Sequence, residues 1–186
     1  MVKETDLDPF FQSALQLKSV KRAGWVSKVG VKGAESVADH SFSLCAIAML
    51  LADIMGLDTK KAMKMVILHD LPESIIGDLI PGDIAAAEKV GREKKAMSKI
   101  LSSLPSNVRS EYQQIWTEYL QNRSEVARFV HRIDKLEMAM QARKYARQGH
   151  AEKLLTPFFE SANQAVGDKG DIVNQVMNSL GNPRTA

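Results

Sequence analysis

The feature that most constrains the fold is the spacing of apolar residues, which recur at every third or fourth position along nearly the whole chain. This spacing collects them on one side of an α-helix, because successive helical residues are rotated by about 100°. One such stripe consists of Val37, Leu44, Ile47, Ala48 and Leu51. We find no convincing run of alternating apolar and polar residues, the pattern typical of a β-strand. The sequence therefore predicts an all-α fold, arranged as a single-domain helical bundle.

Caps and breakers divide this pattern into individual helices. Ser36 with Asp39 matches a capping box at a helix start, and Asp58 is a suitable cap for the next helix. Pro9 is typical of a first helical turn, whereas Gly149 is typical of a helix end. The expected helices span about residues 8–21, 36–55, 58–70, 84–101, a segment carrying 108–119, 125–148, 157–166 and 171–180. Residues 22–35, RAGWVSKVGVKGAE, contain three glycines and no apolar stripe, so they predict a loop.

Composition excludes several classes of protein. The 186 residues suit one domain, and 45% hydrophobic with 25% charged residues is typical of a globular protein. A net charge of +3 is too small to predict a nucleic-acid or membrane partner. No apolar run reaches the roughly 18 residues of a membrane span, and the charged start MVKETDLDPF lacks the apolar stretch of a signal peptide. Cys45 alone cannot form an internal disulfide, so we expect a cytoplasmic protein.

Two polar residues occupy helix faces that should be buried. His40 stands next to the turn that begins the stripe of Leu44, and Asp134 lies in the stripe of Val130, Ile133 and Leu136. Burying an unpaired charge costs several kcal/mol, so an inward carboxylate at this position requires a cation.

His69 and Asp70 are adjacent, so their side chains leave a regular helix about 100° apart. They can converge on one ion only at a helix end or a junction between helices, and Pro72 predicts such an end. Together with His40 and Asp134 they would offer two imidazoles and two carboxylates. This mixed set of nitrogen and oxygen donors suits Mn, Fe, Co, Ni or Zn better than Ca.

The order His40, His69-Asp70 and Asp134 resembles the H…HD…D motif of the HD superfamily of metal-dependent phosphohydrolases. Within it, the chain is similar to the 5′-deoxynucleotidase group that includes bacterial YfbR and the eukaryotic HD-domain-containing protein 2. The likeness covers most of the chain, through the segments LKSVKRAGWV, ESVADHSF, LHDLPESIIGDLIPGD and FVHRIDKLEMAMQA. It implies one HD domain over residues 1–186, with a metal-binding core at about 36–142 and C-terminal helices at about 151–181.

The resemblance implies that His40, His69, Asp70 and Asp134 bind one divalent ion, which could be Co, Mn, Zn, Ni, Fe or Mg. Such an ion lowers the pKa of bound water toward about 7 and neutralises charge on a phosphoryl oxygen. The implied reaction is hydrolysis of a (deoxy)nucleoside 5′-monophosphate to nucleoside and phosphate. The implied partners are this nucleotide and a second copy of the chain, in a homodimer.

The resemblance also assigns roles to residues around the ion. Glu73 and Asp78 are implied to handle the attacking water and the substrate, and Arg22 to bind the phosphate. Trp25 resembles the aromatic residue beside the nucleoside, although two residues separate it from Arg22 here. The alternatives are a solvated Glu73, a turn role for Asp78, a surface role for Arg22 and packing of the loop by Trp25. His131 is a further candidate ligand.

Other functions stay open at the level of sequence. HD-type hydrolases of pyrophosphorylated or cyclic nucleotides are one alternative, although the alarmone enzymes resemble one another in an HDxxED run and Ser74 departs from it. A helical scaffold that binds a nucleotide or a protein without turnover is another. The aromatic residues Tyr112, Trp116 and Tyr119 favour core packing, with a dimer surface as the alternative.

Overall fold

The computed structural model describes residues 6–80 and 82–181. These residues fold into nine α-helices and a π-helical turn, with no β-strand among them, which confirms the predicted all-α fold. The helices are α1 (Asp8–Gln16), α2 (Val37–Met55), α3 (Thr59–His69), α4 (Glu73–Ile76), α5 (Ala86–Leu101), α6 (Ser106–Gln121), α7 (Glu125–Arg147), α8 (Glu152–Val166) and α9 (Ile172–Leu180), and the π-helical turn is Trp25–Val29. The extent of the predicted domain stays a prediction, and residues 1–5, 81 and 182–186 of it lie outside the described residues.

The helices that carry the predicted metal site begin at capping side chains. The Ser36 hydroxyl accepts the backbone N–H of Asp39, and the Asp39 carboxylate accepts the backbone N–H of Ser36. The Asp58 carboxylate accepts the backbone N–H of Lys61 at the start of α3. Because these caps satisfy N–H groups that have no partner inside the helix, they fix where α2 and α3 begin.

The sequence prediction did not include helix α4 or the π-helical turn Trp25–Val29, which lies within the predicted loop 22–35. Two further helices differ clearly in extent from the prediction. Helix α1 ends at Gln16 rather than near Lys21, because the following chain runs beside the start of α2, where the Val37 N–H donates to the Val20 carbonyl. Helix α8 begins at Glu152 rather than 157 and holds Pro157 inside it. The missing N–H of Pro157 leaves the carbonyl of Lys153 without its helical donor, and Lys153 is exposed, so water can replace that bond.

Helix α7 lies at the centre of the bundle and packs against α2, α3, α6, α8 and α9. Its inward stripe includes Val130, Ile133 and Leu136, all fully buried. Asp134 lies beside this stripe and is itself buried. The fold therefore places a carboxylate in the middle of an apolar bundle, as the sequence predicted.

Helix α2 is apolar on both its inner and outer sides. Its outer side exposes Phe42 at 78%, Leu50 at 59% and Ile54 at 58% of their surface. By length and composition α2 could also cross a membrane, but its inner side packs against α3 and α7. The aromatic cluster of α6 packs against the core instead, and Trp116 is only 1% exposed.

Candidate metal and substrate site

Four predicted ligands meet where three helices converge. His40 lies near the start of α2, His69 ends α3, and Asp134 lies midway along α7. One ligand atom from each of these three residues lies within 4.8 Å of the other two. The His40 Nε2 atom is 3.3 Å from Asp134 Oδ1. A single ion could therefore contact all three residues.

Asp70 joins this cluster because α3 ends immediately before it. Asp70 has left helical geometry, with φ −102° and ψ 5°, so its side chain can turn toward that of its neighbour His69. Its Oδ2 atom lies 3.1 Å from His69 Nε2 and 3.8 Å from His40 Nε2. The helix end that the sequence predicted before Pro72 is therefore what allows the adjacent pair to converge.

The donor atoms are buried and incompletely bonded. His40 is 0% exposed and His69 7% exposed. Within the described part of the chain, the Nε2 atoms of both histidines have no hydrogen-bond partner. A buried polar atom without a partner is costly, and several such atoms around one point indicate that a ligand completes them. Two imidazole nitrogens with two carboxylates fit a divalent transition ion.

The electrostatics of the cluster favour a cation. Burial and Arg22 lower the pKa of His40, but the carboxylates of Asp134 and Glu137 outweigh them and raise it to about 9. Burial alone would raise the pKa of Asp134, yet Lys135 and the two histidines hold it well below its usual range. Asp134 therefore stays ionised, and its negative charge faces the space between the donors.

Both imidazole rings are fixed by a contact at Nδ1, the ring nitrogen that does not face the cluster. The Nδ1 atom of His40 lies 2.6 Å from Glu137 Oε2, and Nδ1 of His69 lies 2.5 Å from the backbone carbonyl oxygen of Val66. These contacts place the Nδ1 proton toward the acceptor, so that Nε2 is the atom that would bind a metal. At His40 the ion would replace the second proton that the raised pKa implies. The sequence analysis did not identify Glu137, although its position three residues after Asp134 on the inner side of α7 was a usable signal.

Glu73 begins α4 beside the cluster and is 5% exposed. Its Oε2 atom has no hydrogen-bond partner among the described residues. Burial raises the pKa of Glu73 to about 10, and the nearby carboxylates of Asp70 and Asp78 add to the shift. The structure therefore places a buried carboxyl group with a free oxygen next to the donors, which argues against a solvated role.

The loop before α2 brings Arg22 to the same place. Its Nη1 atom lies 3.5 Å from Asp70 Oδ2, and Asp70 and Asp78 both favour its charged form. Asp78 holds this loop, because its Oδ2 atom accepts the backbone N–H of Ala23 at 2.8 Å. Arg22 and Asp78 therefore both lie at the predicted site, and Asp78 also fixes the backbone next to Arg22.

Trp25 lies beside the site and is almost fully buried. The side chain is 2% exposed, its Nε1–H donates to Glu35 Oε1, and its ring stacks on Phe158 at 4.2 Å between centroids. The edge of Tyr145 covers it from another side at 5.3 Å. This geometry favours the alternative in which Trp25 packs the loop onto the core.

His131 is not brought into the cluster. Its Nε2 atom lies 3.0 Å from the backbone carbonyl oxygen of Tyr119, and the two rings stack at 4.1 Å. His131 therefore supports Tyr119, whose own ring contacts His69 edge to face at 5.5 Å.

A cavity of about 380 Å³ opens directly onto the cluster. One part of its wall is polar and includes His69, Asp70, Glu73 and Asp134 with the cations Arg22, Lys89 and Lys135. The other part is largely apolar and includes Gly24, Trp25, Met138, Pro157 and Phe158. A volume of this size is typical of a small-molecule site. Neither Lys135 nor Phe158 was predicted from the sequence as a site residue.

Comparison with known proteins identifies the family of this chain. Residues 14–172 match the HD domain family. The chain is 37% identical over 153 residues to the human 5′-deoxynucleotidase HDDC2, covering 82% of this chain and 74% of that protein. It is 33% identical over 161 residues to the 5′-deoxynucleotidase hdd1 of Schizosaccharomyces pombe, covering 84% and 80%.

Solved structures share the same fold. A crystal structure of a Pyrococcus horikoshii OT3 protein superposes with a TM-score of 0.78 at 31% identity, over 94% of this chain and 98% of that chain. A predicted metal-dependent phosphohydrolase from Magnetospirillum magnetotacticum MS-1 superposes with a TM-score of 0.71, over 99% and 98%. At 23% identity the second likeness concerns the fold alone.

Proposed function

Because the chain belongs to the HD domain family, we propose that it is a metal-dependent hydrolase of (deoxy)nucleoside 5′-monophosphates, giving nucleoside and phosphate. Relatives named 5′-deoxynucleotidase, at 33–38% identity, support this activity. The observation that carries the proposal is the convergence of His40, His69 and Asp134, with Asp70 beside them, on one buried point that opens into a cavity. A pure binding scaffold would not need a donor set of this kind next to the unpartnered Glu73.

The proposed cofactor is one divalent ion held by His40, His69, Asp70 and Asp134. When bound, such an ion lowers the pKa of a water molecule and neutralises charge on a phosphoryl oxygen. The buried rings of His40 and His69 are already fixed in place by Glu137 and by the Val66 carbonyl, so little rearrangement is needed to present their Nε2 atoms. The identity of the metal depends on its supply in the cell.

Arg22 is proposed to bind the phosphate. Its guanidinium group faces the cavity beside the cluster and offers paired N–H donors, which match two phosphate oxygens. Lys135 lines the same wall with its Nζ 3.0 Å from Asp134 Oδ2, so it adds positive charge where the substrate dianion would enter. Asp78 holds the loop that carries Arg22 through the N–H of Ala23.

Proton transfer is proposed for Glu73 and Asp78. As the water oxygen bonds to phosphorus and the bond from phosphorus to the 5′-oxygen breaks, the water must lose a proton and the leaving oxygen must gain one. Glu73 can take the first proton on its unpartnered Oε2, and a cation beside it would bring its raised pKa back toward neutral pH. Asp78 lines the same cavity and can relay a proton to the leaving oxygen.

The test is phosphate release from a panel of ribo- and deoxynucleoside 5′-monophosphates with added Co²⁺ or Mn²⁺. His69→Ala should lower kcat/KM by at least about a hundredfold, because it removes a direct metal ligand. Substitution of a residue that only supports a metal ligand typically costs about 10- to 100-fold, and loss of the ligand itself should cost more. His150→Ala, at a histidine outside the cavity, is the matched control. Release no faster than that of His69→Ala with every substrate would refute the function. Pyrophosphate or cyclic nucleotide cleavage without monophosphate cleavage would support the alternative hydrolase.

We also propose that the protein acts in the cytoplasm as a homodimer, without nucleic acid as a partner. The residues Phe42, Leu50 and Ile54 expose apolar surface on the outer side of α2 and support self-association, since exposed apolar surface can mark an interface. Light scattering coupled to gel filtration tests the dimer, and the mass of a single chain at micromolar concentration would contradict it.

A further inference from the structure

The cavity next to the metal cluster has two chemically different parts. The charged part contains three of the four proposed ligands, His69, Asp70 and Asp134, together with Arg22 and Lys135, and suits a phosphate. The other part is formed largely by the apolar side chains of Trp25, Met138, Pro157 and Phe158. A nucleoside monophosphate has a matching division into a dianionic end and a planar base. The apolar part is therefore the place where the base would lie.

Phe158, rather than Trp25, supplies the aromatic surface of this part. The two rings stack with 4.2 Å between their centroids and 29° between their planes. Both rings line the cavity, but Trp25 is only 2% exposed because Phe158 and Tyr145 cover its indole, whereas Phe158 is only partly buried. Trp25 is fixed by the bond from its Nε1–H to Glu35. The fixed indole of Trp25 thus stacks on one face of the Phe158 ring.

The fully buried stripe of α8 does not include Phe158, which is partly buried and packs against the core from outside that stripe. The core side of α8 consists of Leu155, Phe159, Ala162 and Val166, spaced by three and four residues. Phe158 lies outside this stripe, beside the exposed Pro157. A Cβ added at Gly24 would lie 3.5 Å from the Phe158 ring, so the backbone of the Arg22 loop also rests against it.

We propose that Phe158 determines the substrate class of this site by stacking with the nucleobase of the monophosphate. This inference rests on the proposed function. It states that the same cavity prefers phosphomonoesters that carry a planar base. Stacking on an aromatic side chain tolerates any base, because every base has a π face. The site should therefore accept several bases and discriminate against sugar phosphates that have none.

The experiment compares Phe158→Leu and Phe158→Tyr with the wild type on two substrates, deoxyadenosine 5′-monophosphate and 2-deoxyribose 5-phosphate. Leucine still covers Trp25 but offers no ring, whereas tyrosine keeps the ring. Phe158→Leu should lower kcat/KM for the nucleotide by about tenfold, mainly through KM, and leave the sugar phosphate unchanged. Phe158→Tyr should stay close to the wild type. Phe11→Leu, at an exposed phenylalanine of α1, is the matched control.

Equal losses on both substrates would show a merely structural role and overturn the inference, as would no loss on the nucleotide. Calorimetric binding of deoxyadenosine 5′-monophosphate to the metal-free protein separates this inference from the proposed function. Binding that Phe158→Leu weakens and Phe158→Tyr retains, without turnover in the wild type, would refute the function and keep the inference. Nucleotide turnover that does not depend on Phe158 would support the function and refute the inference. Absence of both binding and turnover would overturn both.

Discussion

At the scale of single residues, the site depends on how each imidazole ring is held. His40 is fully buried, and its Nδ1 lies 2.6 Å from Glu137 Oε2. A carboxylate behind a metal-binding histidine fixes the ring orientation and makes Nε2 a better donor. Glu137 therefore acts as a positioning residue, since it lies on the opposite side of the ring from the proposed ion.

Glu137→Gln should weaken binding of Mn²⁺ or Co²⁺ by about 10- to 100-fold, because the amide cannot accept the Nδ1 proton as strongly as the carboxylate. Isothermal titration with the metal measures this. Glu125→Gln, at an exposed glutamate of the same helix, is the control. Equal affinities of Glu137→Gln and the wild type would show that Glu137 does not act on the metal site.

The sequence indicated the four proposed ligands but not their supporting residues, for a physical reason. Asp134 is recognisable because a carboxylate among Val130, Ile133 and Leu136 is unusual, and the order of the histidines and aspartates adds a specific pattern. Glu137 and Phe158 belong to no such motif, and neither was recognised from its position in the sequence. Each becomes informative only when tertiary packing places it behind His40 or against Trp25.

At the scale of helices, local signals were sufficient where a side chain caps a helix. Helices α2 and α3 begin within one residue of the prediction, because Ser36 and Asp58 accept free N–H groups at their starts. Local sequence signals were insufficient for α8, where Pro157 indicated a helix start but the helix begins earlier, at Glu152. Packing of α8 against α7 stabilises that additional turn despite the proline.

Helix α9 is attached to α7 by an ion pair that should make stability depend on pH. Arg132 donates to both carboxylate oxygens of Asp171 and to Asn174 Oδ1. The hydrogen bonds from Arg132 hold the pKa of Asp171 below its usual value. A carboxyl group with a lowered pKa in the folded state stabilises the protein above its unfolded pKa, near 3.9, and loses that contribution as the pH falls through the lowered value.

Asp171→Asn should lower the free energy of unfolding by about 1–3 kcal/mol at pH 7, because it leaves the buried Arg132 without a counter-charge but can still cap α9. The difference between variant and wild type should shrink as the pH falls below about 4. Urea unfolding at pH 7 and pH 3 tests both statements. Asp168→Asn, at a nearby exposed aspartate, is the control. A difference that stays constant across this pH range would contradict the assignment to Asp171.

At the scale of the whole molecule, the site exists only because the bundle brings distant segments together. His40 and Asp134 lie on α2 and α7, which pack against each other, and α3 delivers His69 and Asp70 at its end. Spacing along the chain predicted the helices and their inward sides, but it could not give the distances between donors. Those distances follow from the central position of α7, which contacts both α2 and α3.

The central claim is that four side chains from three helical segments bind one divalent ion. The most direct measurement is an anomalous difference map, recorded at the manganese edge, from crystals of the protein grown with Mn²⁺. The account predicts one strong peak per chain, bounded by His40 Nε2, His69 Nε2 and carboxylate oxygens of Asp70 and Asp134. A map with no peak between those atoms, while Mn²⁺ binds elsewhere on the chain, would contradict it.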